Sequence, residues 1–211
     1  MIGSSPLRHM LFATAAMLAF VNPLQAAPVE GRDYTILATP QPQEGKGKIE
    51  VIEFFSWGCP HCNHFHPLIS KWAAQLPSSV RFMRVPVSMG HPQWGQLVRM
   101  YYTLESMGEL TRLDSAIFDA IHKEKQPLFD EATITAWVAK HGVDAAKFKE
   151  VFNSFNVSTR ASHSEQMSRD YNVDGIPQIV VAGKYQVLGN NFDQILANAT
   201  QVIEIAGKAA E

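Results

Sequence analysis

The alternation of apolar and polar residues changes its period several times along the chain. Residues 48–57 (KIEVIEFFSW) are apolar on both faces, which predicts a strand inside a covered sheet. A helix is predicted from Cys59, with Pro60 in its first turn and an apolar stripe that ends at Leu76. Residues 80–87 predict a second strand, so this part of the chain has the pattern of a β-α-β unit with parallel strands.

From residue 91 to residue 155 the pattern becomes helical throughout. Four helical periods follow one another, and the last is expected to bury Phe148, Val151 and Phe155 on one face. Such a run predicts a helical bundle inserted into an α/β domain. The periods lie at 92–105, 111–124, 131–141 and 144–154. The rest of the chain predicts a strand at 33–38 and a helix at 157–171. It also predicts two strands at 178–182 and 185–188, joined by a turn at 183–184, and a last helix at 192–206.

The first 26 residues have the three parts of a secretory signal peptide. Arg8, without an acidic neighbour, precedes a continuous apolar run at 11–21, and small residues follow at Ala26 and Ala27. The run is too short for a hydrocarbon core of roughly 30 Å, which makes an uncleaved anchor the weaker alternative. We therefore expect residues 1–26 to be removed and the mature protein to be exported.

The composition favours an ordinary globular protein. Of 211 residues, 46% are hydrophobic and 18% charged, and the net charge of −2 lacks the basic excess expected for nucleic-acid binding. The chain has only two cysteines, both in one tetrapeptide. A ring that small constrains an unfolded chain very little, so a redox role is better motivated than a structural staple.

The tetrapeptide Cys59-Pro60-His61-Cys62 carries the candidate chemistry. At the start of a helix, the sulfur of Cys59 would face unpaired backbone N–H groups and the positive end of the helix dipole. A protonated His61 would add positive charge, so we expect the pKa of Cys59 to fall below the ~8.5 of free cysteine. Cys62 lies on the same helical face but deeper in the first turn. We therefore predict Cys59 as the exposed nucleophile, Cys62 as the resolving thiol, and an oxidising disulfide.

Glu53 is the second candidate. It shares a strand face with Val51 and Phe55, and it is predicted to be buried beneath the dithiol. A buried carboxyl favours its neutral form and could exchange protons with Cys62. The alternative is that Glu53 reaches solvent or pairs with Arg84.

A metal site is the main competing interpretation, because His61, His64 and His66 crowd around the two cysteines. A zinc knuckle needs a second cysteine pair, however, and helical geometry separates His64 from His66. We therefore predict no metal and no other cofactor. The segment 175–177 (GIP) indicates by its position only a turn before a strand.

Together, these motifs resemble the thioredoxin superfamily. Residues 54–56 (FFS), 59–62 (CPHC) and 175–177 (GIP) are most similar to the DsbA family of periplasmic disulfide oxidases. The resemblance covers essentially the whole mature chain, and it is fairly specific, because thioredoxins usually carry Gly-Pro and disulfide isomerases Gly-His between their cysteines.

The resemblance implies roles for several residues. Pro177 should be cis, and Ile176 should offer backbone hydrogen bonds to a client peptide beside Cys59. Glu53 matches the family's buried acid, and Arg84 falls where the family has a basic residue near it. The family also implies an apolar groove for unfolded exported chains and reoxidation by a quinone-linked membrane oxidase of the DsbB type.

The expected fold is therefore α/β: a thioredoxin-like domain at 27–90 and 156–211, with an inserted helical domain at 91–155. Pro86 departs from the family pattern and argues for an edge position or a bulge in the second strand.

The expected function is that of a monomeric thiol:disulfide oxidoreductase that donates the disulfide of Cys59 and Cys62 to exported proteins. The nearest alternative is an isomerase or a reductase on the same fold. A periplasmic metal-binding or chaperone module is the alternative from a different class.

Overall fold

The computed structural model describes residues 27–45 and 47–209, so the predicted signal peptide lies outside the described residues. Within them the chain forms five strands: β1 (Tyr34–Ile36), β2 (Ile49–Phe55), β3 (Val80–Pro86), β4 (Gln178–Val181) and β5 (Tyr185–Val187). Seven helices accompany the strands: α1 (Pro60–Ala73), α2 (Pro92–Ser106), α3 (Leu110–His122), α4 (Glu131–Lys140), α5 (Ala145–Phe152), α6 (Phe155–Asp170) and α7 (Phe192–Lys208).

The strands form one sheet in the order β1-β5-β4-β2-β3. β2 and β3 are parallel, as the β-α-β pattern predicts, and the other neighbouring pairs are antiparallel. β2 is an inner strand, and six of its seven residues are buried, which confirms that both of its faces are covered. β3 is an edge strand that ends at Pro86, so the missing N–H of this proline is accommodated at the edge position that its sequence predicts.

Layers of helices cover the sheet and extend beyond it. α1 and α7 pack on one face, and part of the other face is covered by Met167 of α6 and by Tyr171, which directly follows this helix. Helices α2–α5 enclose a separate apolar core, which continues to Cys59 and Cys62. The dithiol therefore lies where the helical core meets the end of β2.

The starts of the helices differ in a way that matters for the site. Each of α4, α5, α6 and α7 begins at a polar residue whose side chain accepts a backbone N–H in the first turn. α1 instead begins at Cys59, with no side-chain cap, no acidic residue in its first turn, and Pro60 as its first residue. Its first-turn N–H groups consequently remain available to a sulfur.

Phe155 corrects one prediction from the helical pattern. It does not share a buried face with Phe148, because it is 87% exposed. Ser154 starts a new helix by accepting the N–H of Val157 through its hydroxyl, and Val157 takes the inward position that the pattern assigned to Phe155.

The turn between β4 and β5 lies one residue earlier than the sequence indicates. Lys184 N donates to Val181 O, which makes Ala182 and Gly183 the two central residues. Both have a positive φ, 53° and 62°, as expected for the tightest hairpin turns.

We expect Gly183→Ala to destabilise the protein more than Gly31→Ala, a substitution at another glycine with a positive φ. A Cβ at Gly183 would lie 2.1 Å from the carbonyl oxygen of Gln41, whereas one at Gly31, with a φ of +82°, meets nothing within 4 Å. Gly31→Ala should therefore lose only the left-handed preference, about 1 to 2 kcal/mol. Gly183→Ala should lose roughly 1 to 3 kcal/mol more. Denaturant unfolding measures both variants, and equal losses would contradict the predicted clash.

Candidate active site

The two cysteines lie in the first turn of α1, and both are free thiols. Cys59 is the N-cap residue, with its backbone N–H bonded to Ser56 O at 3.1 Å and its carbonyl accepting from Asn63 N at 3.0 Å. These bonds fix the backbone on both sides of the Cys59 sulfur. The sulfur therefore stays beside the N–H groups of the first turn.

The surroundings give the two thiols opposite acidities. A hydrogen bond from the Cys62 side chain lowers the pKa of Cys59 to about 6, with help from the backbone N–H groups of Cys62 and His61 and from the charge of His61. Burial raises the pKa of Cys62 far above its ordinary value, and the neighbouring Cys59 and Glu53 raise it further. Near neutral pH, Cys59 is therefore a thiolate and Cys62 a thiol.

The predicted exposure of Cys59 needs correction. Its surface is only 5% exposed, because the apolar side chains around the start of α1 enclose it. Cys62 is completely buried. The predicted order of access therefore holds, but the nucleophile is recessed rather than freely exposed.

The loop before β4 lies against Cys59. The Ile176–Pro177 peptide bond is cis, as the family resemblance implies, and Ile176 O lies 3.6 Å from the Cys59 sulfur. Ile176 and Pro177 are half-buried, so part of each remains at the surface beside the sulfur. The structure thus brings together two of the three segments that carry the family resemblance, 59–62 and 175–177.

Glu53 is fully buried and also paired, so both interpretations of this residue hold in part. Arg84 lies directly opposite on β3, and its Nε donates to Glu53 Oε2 at 2.7 Å. The guanidinium also stacks on Phe55, 3.6 Å from the ring centroid. Burial raises the pKa of Glu53 even though Arg84 opposes the shift.

The neighbouring histidines do not gather around the sulfurs. His61 and His64 are exposed, while His66 is buried, with its Nε2 3.0 Å from Ser115 Oγ. Within residues 27–45 and 47–209, no three His, Cys, Asp or Glu side chains are grouped closely enough to hold a metal ion.

Sequence reasoning missed the contacts that α3 makes with the active-site loop, residues 56–59, between β2 and α1. Asp114 Oδ1 accepts the indole N–H of Trp57 at 2.7 Å, and the His122 ring donates to Trp57 O at the same distance. α2 also reaches this loop, because a Cβ at Gly58 would lie 2.3 Å from Trp94 Nε1. One sequence signal points to α3, since positions 114, 118 and 122 form one helical row whose middle member is apolar.

A Cys-x-x-Cys pair at the start of a helix, next to a cis-proline loop on an α/β sheet, defines a thiol–disulfide oxidoreductase with a thioredoxin-like fold. Residues 50–201 match the family model described as "DSBA-like thioredoxin domain". The chain belongs to this DsbA-like family, which confirms the fold class predicted from the sequence.

Individual relatives agree with this assignment. A Burkholderia cepacia protein named thiol:disulfide interchange protein DsbA is 36% identical over 93% of this chain and 92% of its own. The crystal structure of Pseudomonas aeruginosa DsbA superposes with a TM-score of 0.81 at 37% identity, covering 85% of this chain and 95% of that one. DsbA from Xylella fastidiosa gives a TM-score of 0.82 at 31% identity, with 87% and 100% covered.

We expect the Cys59 thiolate of the reduced protein to titrate with a midpoint near pH 6, measured by its ultraviolet absorbance against a Cys59→Ser baseline. In Cys62→Ala the midpoint should rise, because the largest stabilising hydrogen bond is lost, while the backbone N–H groups keep it below about 8.5. A wild-type midpoint near that of free cysteine would contradict the proposed stabilisation.

The same pKa gives a pH dependence of stability. A lowered folded-state pKa stabilises the reduced protein above the thiol pKa of the unfolded chain, and this gain is lost as the pH falls through about 6. The unfolding free energy of the reduced protein minus that of the oxidised protein should therefore increase between about pH 6 and about pH 8.5. Denaturant unfolding of both forms across this range measures the difference, and a flat difference would contradict the expectation.

Proposed function

We propose that this protein is a periplasmic disulfide oxidase that transfers the disulfide of Cys59 and Cys62 to newly exported proteins. One observation carries the proposal: Cys59 is stabilised as a thiolate at a helix start, directly beside a buried thiol that resists ionisation. A dithiol with a stabilised thiolate favours the reduced state, so the corresponding disulfide readily accepts electrons. Thiol:disulfide interchange is also what the names of its relatives state.

In the first step, a client thiolate attacks Cys59, since Cys62 is completely buried. The new bond joins the client sulfur to Cys59, the Cys59–Cys62 bond breaks, and its electron pair leaves on Cys62. A thiol with a high pKa is a poor leaving group unless it receives a proton. Glu53 is the nearby buried carboxyl, and its raised pKa lets it supply that proton.

In the second step, another client thiolate attacks the client sulfur of the mixed disulfide. The client gains its disulfide, and Cys59 leaves as the thiolate that the start of α1 stabilises. The enzyme is left reduced by two electrons, with the proton from Glu53 on Cys62, and Glu53 takes up a proton from solvent to replace it. Pro60 supports this step, because a proline at the first helical position leaves the N–H groups of His61 and Cys62 for the sulfur.

The client binds in an extended conformation along the cis-proline loop. Ile176 supplies backbone hydrogen-bonding groups next to Cys59, and Pro177 shapes the loop. Two parts of the chain frame this site, the thioredoxin-like domain at 27–90 and 156–211 and the inserted helical domain at 91–155. The separate apolar core of α2–α5 supports the division.

Cellular context completes the proposal. Residues 1–26 act as a signal peptide for export, and the mature protein works as a monomer in the periplasm. Among the described residues, no helix is long and apolar enough to cross a membrane. A quinone-linked membrane oxidase of the DsbB type restores the disulfide after each cycle.

We expect Cys62→Ser to accumulate mixed disulfides with exported proteins, because its Cys59 thiolate can attack a disulfide of an oxidised client and no second thiol then releases the client by closing the Cys59–Cys62 bond. Cys59→Ser should form none, because its remaining sulfur, Cys62, is completely buried. Alkylation of cell extracts followed by non-reducing electrophoresis measures both variants, together with the redox state of the wild-type pair. A mostly reduced wild-type pair, with no oxidation of a reduced, unfolded client, would favour a reductase instead.

Glu53→Gln should slow the oxidation of a reduced client at neutral pH by about 100-fold or more, because the leaving Cys62 loses its proton source. The thiolate titration of Cys59 serves as the control, since it reports the start of α1 rather than the proton transfer. Unchanged exchange kinetics in a folded Glu53→Gln protein would exclude this role for the carboxyl.

A further inference from the structure

Asp114 occupies an unusual position in the inserted helices. One of its oxygens, Oδ1, accepts the Trp57 indole N–H at 2.7 Å, and the other, Oδ2, accepts Arg84 Nη1 at 2.7 Å. Its side chain is only 16% exposed. One carboxylate of α3 thus holds both the loop that leads to Cys59 and the arginine that reaches Glu53.

Arg84 is consequently shared between two carboxyl groups. Its Nε binds Glu53 on β2, its Nη1 binds Asp114 on α3, and both distances are 2.7 Å. A single guanidinium carries one positive charge, so it neutralises one carboxylate and leaves the charge of a second uncompensated. Two carboxylates near one cation cannot both ionise easily, and the more deeply buried one keeps its proton.

The burial of the two carboxyl groups, Glu53 and Asp114, decides which of them keeps its proton. Glu53 is fully enclosed, and its Oε1 has no hydrogen-bond partner among the described residues. Asp114 receives two hydrogen bonds and borders a cavity of about 440 Å³ together with His66, Tyr101 and Arg84. The fully enclosed Glu53 is therefore the carboxyl that keeps its proton.

We propose that Asp114 is a positioning residue for disulfide exchange. Asp114 pairs with Arg84, so that Arg84 stabilises an ionised Glu53 less, and Glu53 thereby stays protonated next to Cys62. The inference rests on the proposed function, because a protonated Glu53 is useful only where Cys62 must leave as a thiol. It also gives the inserted helical domain a direct part in the chemistry of the dithiol.

Other groups around Glu53 are consistent with this assignment. Cys62 of α1, Arg84 of β3 and Asp114 of α3 act on Glu53 directly. Two further side chains touch the cluster: His66 of α1 lies 3.7 Å from Asp114 Oδ2, and Tyr101 of α2 donates to the Arg84 carbonyl. Burial lowers the pKa of His66 and raises that of Tyr101, so both are neutral near pH 7. β4 contributes only the apolar Ile179 opposite Glu53. Arg84 and Asp114 therefore supply the fixed charges of this cluster.

The test compares the wild type with Asp114→Asn, which keeps an oxygen for the Trp57 indole but removes the charge that Arg84 faces. Carbon-13 NMR of labelled glutamate carboxyls, with the Glu53 signal assigned by its loss in Glu53→Gln, follows the titration of Glu53 directly. In Asp114→Asn the midpoint should fall by about one pH unit. The alkaline limb of the client-oxidation rate should move by the same amount, which a purely structural role would not produce.

Glu150→Gln is the matched control, because it also removes one acidic side chain from helices α2–α5, at a position that is 70% exposed and paired with Lys147. It should leave both midpoints unchanged. Should Asp114→Asn fail to fold, Asp114→Ser replaces it with the same expected shift.

An unchanged Glu53 midpoint in a folded Asp114 variant would overturn the inference, as would an equal shift in Glu150→Gln. A shifted carboxyl with an unmoved rate profile would show that exchange does not use the Glu53 proton, and would also overturn it. If the wild type oxidised no client, the proposed function would fail, and with it the part of Asp114 in exchange. The NMR titration would still decide whether Asp114 governs Glu53.

Discussion

The site depends on the affinity of a sulfur anion for a helix start that has no other cap. In four other helices a polar side chain occupies the first-turn N–H groups, and in α1 the same groups face Cys59. Cys62 lies three residues later and is completely buried, so the same turn stabilises the Cys59 thiolate and disfavours the Cys62 thiolate. This asymmetry decides how the disulfide is cleaved: the client attacks Cys59, and the electron pair of the broken bond leaves on Cys62, which must be protonated.

A second constraint follows from burying charge next to such a pair. Glu53, Arg84 and Asp114 come from two strands and an inserted helix, and they lie where the sheet meets the helical core. Charges in this environment persist only when they are paired and hydrogen-bonded. Helices α2–α5 therefore do more than enclose an apolar core, because α3 contributes Asp114, whose carboxylate pairs with Arg84.

Local pattern was sufficient to predict most of the fold and the dithiol. The strands, helices α2–α5 and the start of α1 follow from apolar periodicity and from Pro60, which act over a few residues. The recessed position of Cys59 and the bond between Asp114 and Trp57 join segments dozens of residues apart, so no local period encodes them. Phe155 was misassigned because a period does not show where a capping serine such as Ser154 interrupts it.

The recessed position of Cys59 has a consequence for the choice of clients. A sulfur that is 5% exposed, with Ile176 against one side, admits only a cysteine carried on a thin and pliable stretch of chain. Rigid surfaces cannot bring a thiol that far in. The folding state of a client therefore decides whether it reacts. A client that is still unfolded can be oxidised, whereas the same client, once folded, cannot bring its cysteines to Cys59 and is protected from further disulfide exchange.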